Sequence, residues 1–135
     1  MFANPPTIGD VYATVSAAVA WLDAASTASH GERVAARIIK LTEEAGEVAA
    51  AWIGMTGQNP RKGVTHTPAD VADELADVVV TALVAIHTLG LDPAAVMARC
   101  ATKVATRTTT LRDSRPAGGH PAGAGRTARD HGGAR

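Results

Sequence analysis

At 135 residues, with a formal net charge of zero and a single cysteine, the chain is sized for one domain and carries no global field toward nucleic acid or membrane. Cys100 on its own excludes an intramolecular disulfide and a multi-cysteine zinc site. Apolar residues make up 46% of the chain but include one Phe, one Tyr and two Trp, an alanine-rich balance that favours packed helices over a sheet sandwich.

Met1 to Pro6 carries neither a basic start nor an apolar run, so no signal peptide is expected. Thr7 then stands three residues before Asp10, the spacing of a capping box, and Val11, Val15, Val19 and Leu22 follow at helical spacing. They predict a helix over residues 9–27. Ser29 with Glu32 opens a second, over 31–55, whose stripe is Val34, Ile38, Leu41, Ala45, Val48 and Trp52. Thr67 with Asp70 opens a third, over 68–89, striped by Val71, Leu75, Val78, Ala82 and Ile86 and stopped at Gly90. Asp92 before Pro93 starts a fourth, over 93–109, with the weaker series Val96, Cys100 and Val104.

The expected fold is therefore all-α, a four-helix bundle within residues 1–112. From Asp113 onward the chain has no large apolar residue and cannot offset its own ordering entropy, so 113–135 is expected to be a disordered tail. Between the second and third helices, Thr56 to Thr67 forms a long connection, a length more often functional or disordered than merely connecting. The longest apolar stretch, Val78 to Ile86, is broken by Thr81 and too short to span a bilayer. A soluble cytoplasmic protein, without nucleic-acid or membrane partners, is the expectation.

The second helix gathers Glu43, Glu44 and Glu47 within an arc of about 100°, with Lys40 one turn earlier inside the same arc. The third places Glu74 and Asp77 on one face at i, i+3. Like charges so placed repel, and a hard divalent cation reverses the sign, since Mg²⁺ favours carboxylate oxygens and keeps positions for water and phosphate. A solvated acidic face is the bland reading. Against it, Leu41, Ala45, Val48, Leu75 and Val78 flank the acids, which therefore border the packed face. Asp70 and Asp73 are helix-start acids and are left out. Gly46, in mid-helix, points to close helix approach beside the glutamates.

With Lys40-Leu-Thr-Glu43-Glu44-Ala-Gly-Glu47-Val and Asp73-Glu74-Leu-Ala-Asp77-Val in view, the chain resembles the MazG-like family of all-alpha nucleotide pyrophosphohydrolases over about residues 30–108. That superfamily includes dimeric dUTPases, dCTP pyrophosphatases and phosphoribosyl-ATP pyrophosphohydrolases. The resemblance implies that Glu44, Glu47, Glu74 and Asp77 are Mg²⁺ ligands, with Mn²⁺ as the alternative ion. Glu43 would be a further ligand or orient the attacking water, with Glu44 as its catalytic neighbour. It also implies splitting of a ribo- or deoxyribonucleoside triphosphate between the α and β phosphates, and a Lys and an Arg one turn apart on the last helix to hold phosphates. Lys103 and Arg107 have that spacing.

Beside the resemblance stand weaker candidates. Lys40, and Arg61 and Lys62 between Pro60 and Gly63, are placed to meet phosphate, the last two equally well read as an exposed basic turn. Trp21 and Trp52 are candidates for stacking on a base, against the plainer reading of core or subunit contacts. Cys100 reads as a small core residue. Alanine-rich helices with apolar stripes on more than one face imply a homodimer or homotetramer. A second function competes: a catalytically weak nucleotide-binding or protein-interaction module of the same fold. Ala101, Val104 and Thr108, where relatives often carry Asn and aromatics, favour it, and the complete carboxylate set opposes it.

Overall fold

The capping signals are realised in full. In the computed structural model, which describes residues 7–113, α1 (Ile8–Ala24), α2 (His30–Met55) and α3 (Pro68–Thr88) each begin with a complete capping box. The hydroxyls of Thr7, Ser29 and Thr67 accept from the backbone N–H three residues on, while Asp10, Glu32 and Asp70 accept in return from the cap N–H at 2.7–2.8 Å. For α4 (Pro93–Asp113), the Asp92 carboxylate accepts from the Ala94 N–H at 3.0 Å. Four helices and no strand are present among the described residues, as an all-α reading requires. The tail expected to be disordered, apart from the helical Asp113, lies outside them.

Gly90 ends α3 in the left-handed region at φ 80°. Its N–H donates to His87 O at 2.9 Å and that of Leu91 to Ile86 O at 3.3 Å, a Schellman closure. Gly57, at φ 63°, closes α2 the same way, its N–H on Gly54 O and that of Gln58 on Ile53 O.

The chain divides into two units, Met1–Ala101 and Thr102–Arg135. In the first, α3 is central, with α2 and α1 both packed on it. Its core is small: Val15 and Val19 from α1 meet Leu83 and Val84 from α3, ringed by the partly buried Val11, Tyr12, Leu22 and Ile86. The α1 stripe is thus buried as predicted. The stripes on α2 and α3 are not fully covered, since Ile38, Trp52 and Leu75 stay about half exposed. No single helix is long and apolar enough to cross a membrane.

The second unit, as far as it is described, is the later part of α4, which runs to Asp113 rather than stopping near 109. The hydroxyls of Thr106, Thr108, Thr109 and Thr110 each donate to the carbonyl four residues back, at 3.0–3.1 Å, and so satisfy themselves within the helix. Cys100, expected in the core, is exposed, because every α4 residue from Met97 to Arg112 faces solvent.

Gly46 also departs from expectation. A Cβ there would meet nothing within 4 Å. The close approach occurs two turns later at Gly54, where a Cβ would collide with the His66 ring and lie 2.6 Å from Thr65 Oγ1. The Thr65 N–H donates to Gly54 O at 3.0 Å, which seats the 56–66 connection on the end of α2. Gly54→Ala is expected to unseat it and destabilise the protein by about 1–3 kcal/mol, outweighing alanine's better helix propensity of about 1 kcal/mol. Thermal melts and limited proteolysis within residues 57–66 check this; an unchanged melting temperature and cleavage rate would show the seat to be slack.

Candidate active site

Helices α2 and α3 run antiparallel, and where their packed faces meet the carboxylates converge. Glu44, Glu74 and Asp77 place one oxygen each within 4.8 Å of one another. Glu44 is buried at 7% exposure, Glu74 is half-buried and Asp77 exposed, so the group opens from the helix seam to solvent. The three-four spacing on both helices produces this: Glu44 sits on the side of α2 that faces α3, and Glu74 and Asp77 share the side of α3 that faces back.

Glu47 stands beside this group rather than in it. Its carboxyl bonds to that of Glu44 and feels the charges of Glu44 and Glu74. The bond to Glu44, then the neighbouring charge, pushes its pKa above the ordinary glutamate value. Glu44 moves the other way, held low chiefly by the hydrogen bond from Lys40. Lys40 Nζ lies 2.9 Å from Glu44 Oε1 and 3.0 Å from Glu43 Oε2, and these two bonds, Glu44 first, raise the lysine's own pKa. Lys40 is thus one cation bonded to two acids and felt by a third, Glu47, and Glu43, more than half exposed, is tied to it and stands off the seam.

These residues fit a small hard cation. Octahedral ligands about Mg²⁺ at about 2.1 Å stand about 3 Å apart when adjacent and about 4.2 Å apart when opposite, and three oxygens already within 4.8 Å of one another need only a small adjustment to reach that spacing. Carboxylates alone, with neither His nor Cys among them, suit Mg²⁺ or Mn²⁺ over zinc. Loss of the Glu47 proton would add a fourth ligand. By linkage, the stabilisation Glu47 contributes in its protonated form is present below the ordinary glutamate range and lost as pH rises through its raised value, whereas that of Glu44 is lost as pH falls through its lowered one. Cation binding is therefore expected to release a proton just above the ordinary glutamate range and to release none well above it. Calorimetry with Mg²⁺ in buffers of different ionisation enthalpy measures this, and identical heats across that range would place Glu47 outside the site.

Arg61 and Lys62 lie exposed on the 56–66 connection, Lys62 lining a hollow with Asn59, Gly63 and His66. Lys103 and Arg107 stand one turn apart on the exposed later part of α4, in the second unit. Trp21 is 70% exposed and Trp52 51%, so neither is a core residue. Trp52 borders an open apolar groove of about 600 Å³ with Val48, Ile53, Val71 and Leu75. Asp70 holds the α3 cap, which lowers its pKa through the bonds from Thr67, and it has no part among the converging acids.

Two residues carry no sign of a role in the sequence. Arg33 and Arg37 form, with Lys40, a basic stripe at i, i+4 and i+7 leading up to the glutamates. The spacing was legible, but the anchor that holds it is not local: Asp23 of α1 lies 3.3 Å from Arg33 Nε and 3.6 Å from Arg37 Nη2. A family model described as phosphoribosyl-ATP pyrophosphohydrolase matches residues 21–103, from late α1 into α4. No curated protein and no solved structure matches the chain.

Proposed function

Because the chain belongs to the phosphoribosyl-ATP pyrophosphohydrolase family, within the MazG-like all-alpha superfamily, we propose that it hydrolyses the α–β phosphoanhydride of a nucleotide triphosphate in a Mg²⁺-dependent reaction, giving a monophosphate and pyrophosphate. The observation that supports this most is the convergence of Glu44, Glu74 and Asp77 from two helices. A solvated acidic face would spread its charges apart. Here one carboxylate is buried among the others, with a single lysine for relief.

In this reading Glu44, Glu74, Asp77 and the deprotonated Glu47 hold the ion. When bound, it supplies charge neutralisation for the phosphates and makes water a better nucleophile. The chain supplies the rest. Glu43, exposed beside the group, accepts the proton of the attacking water, and Lys40, placed between Glu43 and Glu44, holds both carboxylates in position. Lys103 and Arg107 are assigned to phosphate binding on the family resemblance. Positive groups preset toward developing phosphate charge contribute most where water is excluded.

Two substrates share the bond to be cleaved: an ordinary ribo- or deoxyribonucleoside triphosphate, and phosphoribosyl-ATP, which the family's name supplies. A panel of both with Mg²⁺, its products resolved by ³¹P NMR, is expected to show pyrophosphate and a monophosphate in equal amounts. Orthophosphate as the first product, or no turnover with any member, would overturn the reading. The non-catalytic alternative, a nucleotide-binding module, is disfavoured by the intact acid set, which binding alone does not require.

We further propose a homodimer. Trp52, Ile53 and Leu75 present half-exposed apolar surface along the groove on α2 and α3, and a second copy would cover it.

A further inference from the structure

Resting on the hydrolase reading, a second feature of the α2–α3 seam refines it. One turn from Glu44 toward the start of α2 comes Lys40, and the matching turn of α3 is Thr81; one turn further comes Arg37, with Val84 across from it. These four, with Ala36 and Leu22 of α1, line a pocket of about 390 Å³. It continues the seam that holds the carboxylates, and Lys40 belongs to both.

Its chemistry is the opposite of its neighbour's. Arg37 presents five N–H donors, and its Nη2 reaches Asp23 at 3.6 Å, beyond hydrogen-bond length; its Nε, like Arg33 Nε and Asp23 Oδ1, is buried without a hydrogen-bond partner. Asp23 is shared with Arg33, whose Nε is closer at 3.3 Å, so one carboxylate serves two guanidinium groups. The Arg37 side chain is only 17% exposed. A largely covered guanidinium with idle donors, in a pocket that also holds a lysine and a threonine hydroxyl, suits an oxyanion with several acceptor oxygens.

We propose that this pocket holds a phosphoryl group of the substrate, one turn along the seam from the bond that is cleaved, with Arg37 as its main donor. Two groups have that chemistry: the terminal phosphates that leave as pyrophosphate, and the 5′-phosphate of a phosphoribosyl substituent.

Calorimetric titration of the full chain in Mg²⁺ buffer with inorganic pyrophosphate, and separately with ribose 5-phosphate, tells them apart. At least one probe is expected to bind, and Arg37→Gln to weaken it about 10-fold or more, as losing a charged hydrogen bond does. Ala36→Leu narrows the pocket without touching the ion pairs, and it is expected to do the same; it decides the matter should Arg37→Gln fail to fold. Dependence of pyrophosphate binding on both residues assigns the pocket to the leaving group, and dependence of ribose 5-phosphate binding assigns it to a phosphoribosyl group. If neither probe binds, or binding is indifferent to both substitutions, the proposal falls, although triphosphate hydrolysis by the wild-type chain would still uphold the hydrolase reading. Probe binding that depends on Arg37, in a chain that cleaves no phosphoanhydride, would instead sink the hydrolase reading and keep the pocket.

Discussion

Glu74→Gln is expected to lower kcat/KM for triphosphate hydrolysis by at least about 100-fold, since altering groups that merely support metal ligands already costs about 10–100-fold. The same substitution should act in the opposite direction on the metal-free protein. Without a cation, Glu74 is one more negative charge beside Glu44, Glu47 and Asp77. Removing it relieves repulsion, so the variant's melting temperature in EDTA should equal or exceed that of the wild type. Added Mg²⁺ should raise the wild-type melting temperature in proportion to the logarithm of its concentration above the dissociation constant, and leave the variant's nearly unmoved. This crossed pattern separates a metal site from a structural role. A variant less stable in EDTA and equally responsive to Mg²⁺ would mean that Glu74 is a packing residue.

Leu83→Ala carries the largest expected loss of stability. Leu83 is 3% exposed and sits where α3 meets Val15 and Val19 of α1. Truncating a buried leucine costs about 2–5 kcal/mol, through lost transfer energy and the void left behind. A domain of this size holds about 5–15 kcal/mol in all, so the midpoint should fall by about 10 °C or more. The few buried side chains here have no second layer to collapse inward, which puts the cost toward the upper end. A denaturant midpoint within error of the wild type would show that α1 contributes little to stability and that the core lies elsewhere.

What could be read in the sequence was what is local. A capping box joins a hydroxyl to an acid three residues away, and all three formed. The acids of α2 and α3 were legible because three-four spacing fixes a shared face before any tertiary contact exists. The convergence of Glu44 with Glu74 and Asp77 needed one further step, that consecutive helices pack together, and the family motif supplied it. Contacts set by other helices were not legible. Gly46 and Gly54 look alike in the sequence, yet only Gly54 has a chain segment folded against it. Cys100 shares the α4 periodicity, but a periodic stripe tells which face is apolar and nothing about what covers it. Asp23, ten residues from Arg33 and fourteen from Arg37, was invisible as their anchor for the same reason.

Half-covered stripes on α2 and α3 also bear on how the protein would behave in dilute solution. If a second copy completes the fold, the melting temperature is a mass-action quantity that falls on dilution, at a rate the association constant fixes. The converging acids Glu44, Glu74 and Asp77 lie on these same two helices. Assays at nanomolar protein would then lose activity faster than in proportion to enzyme added, and a plot of rate against protein concentration would curve upward from the origin.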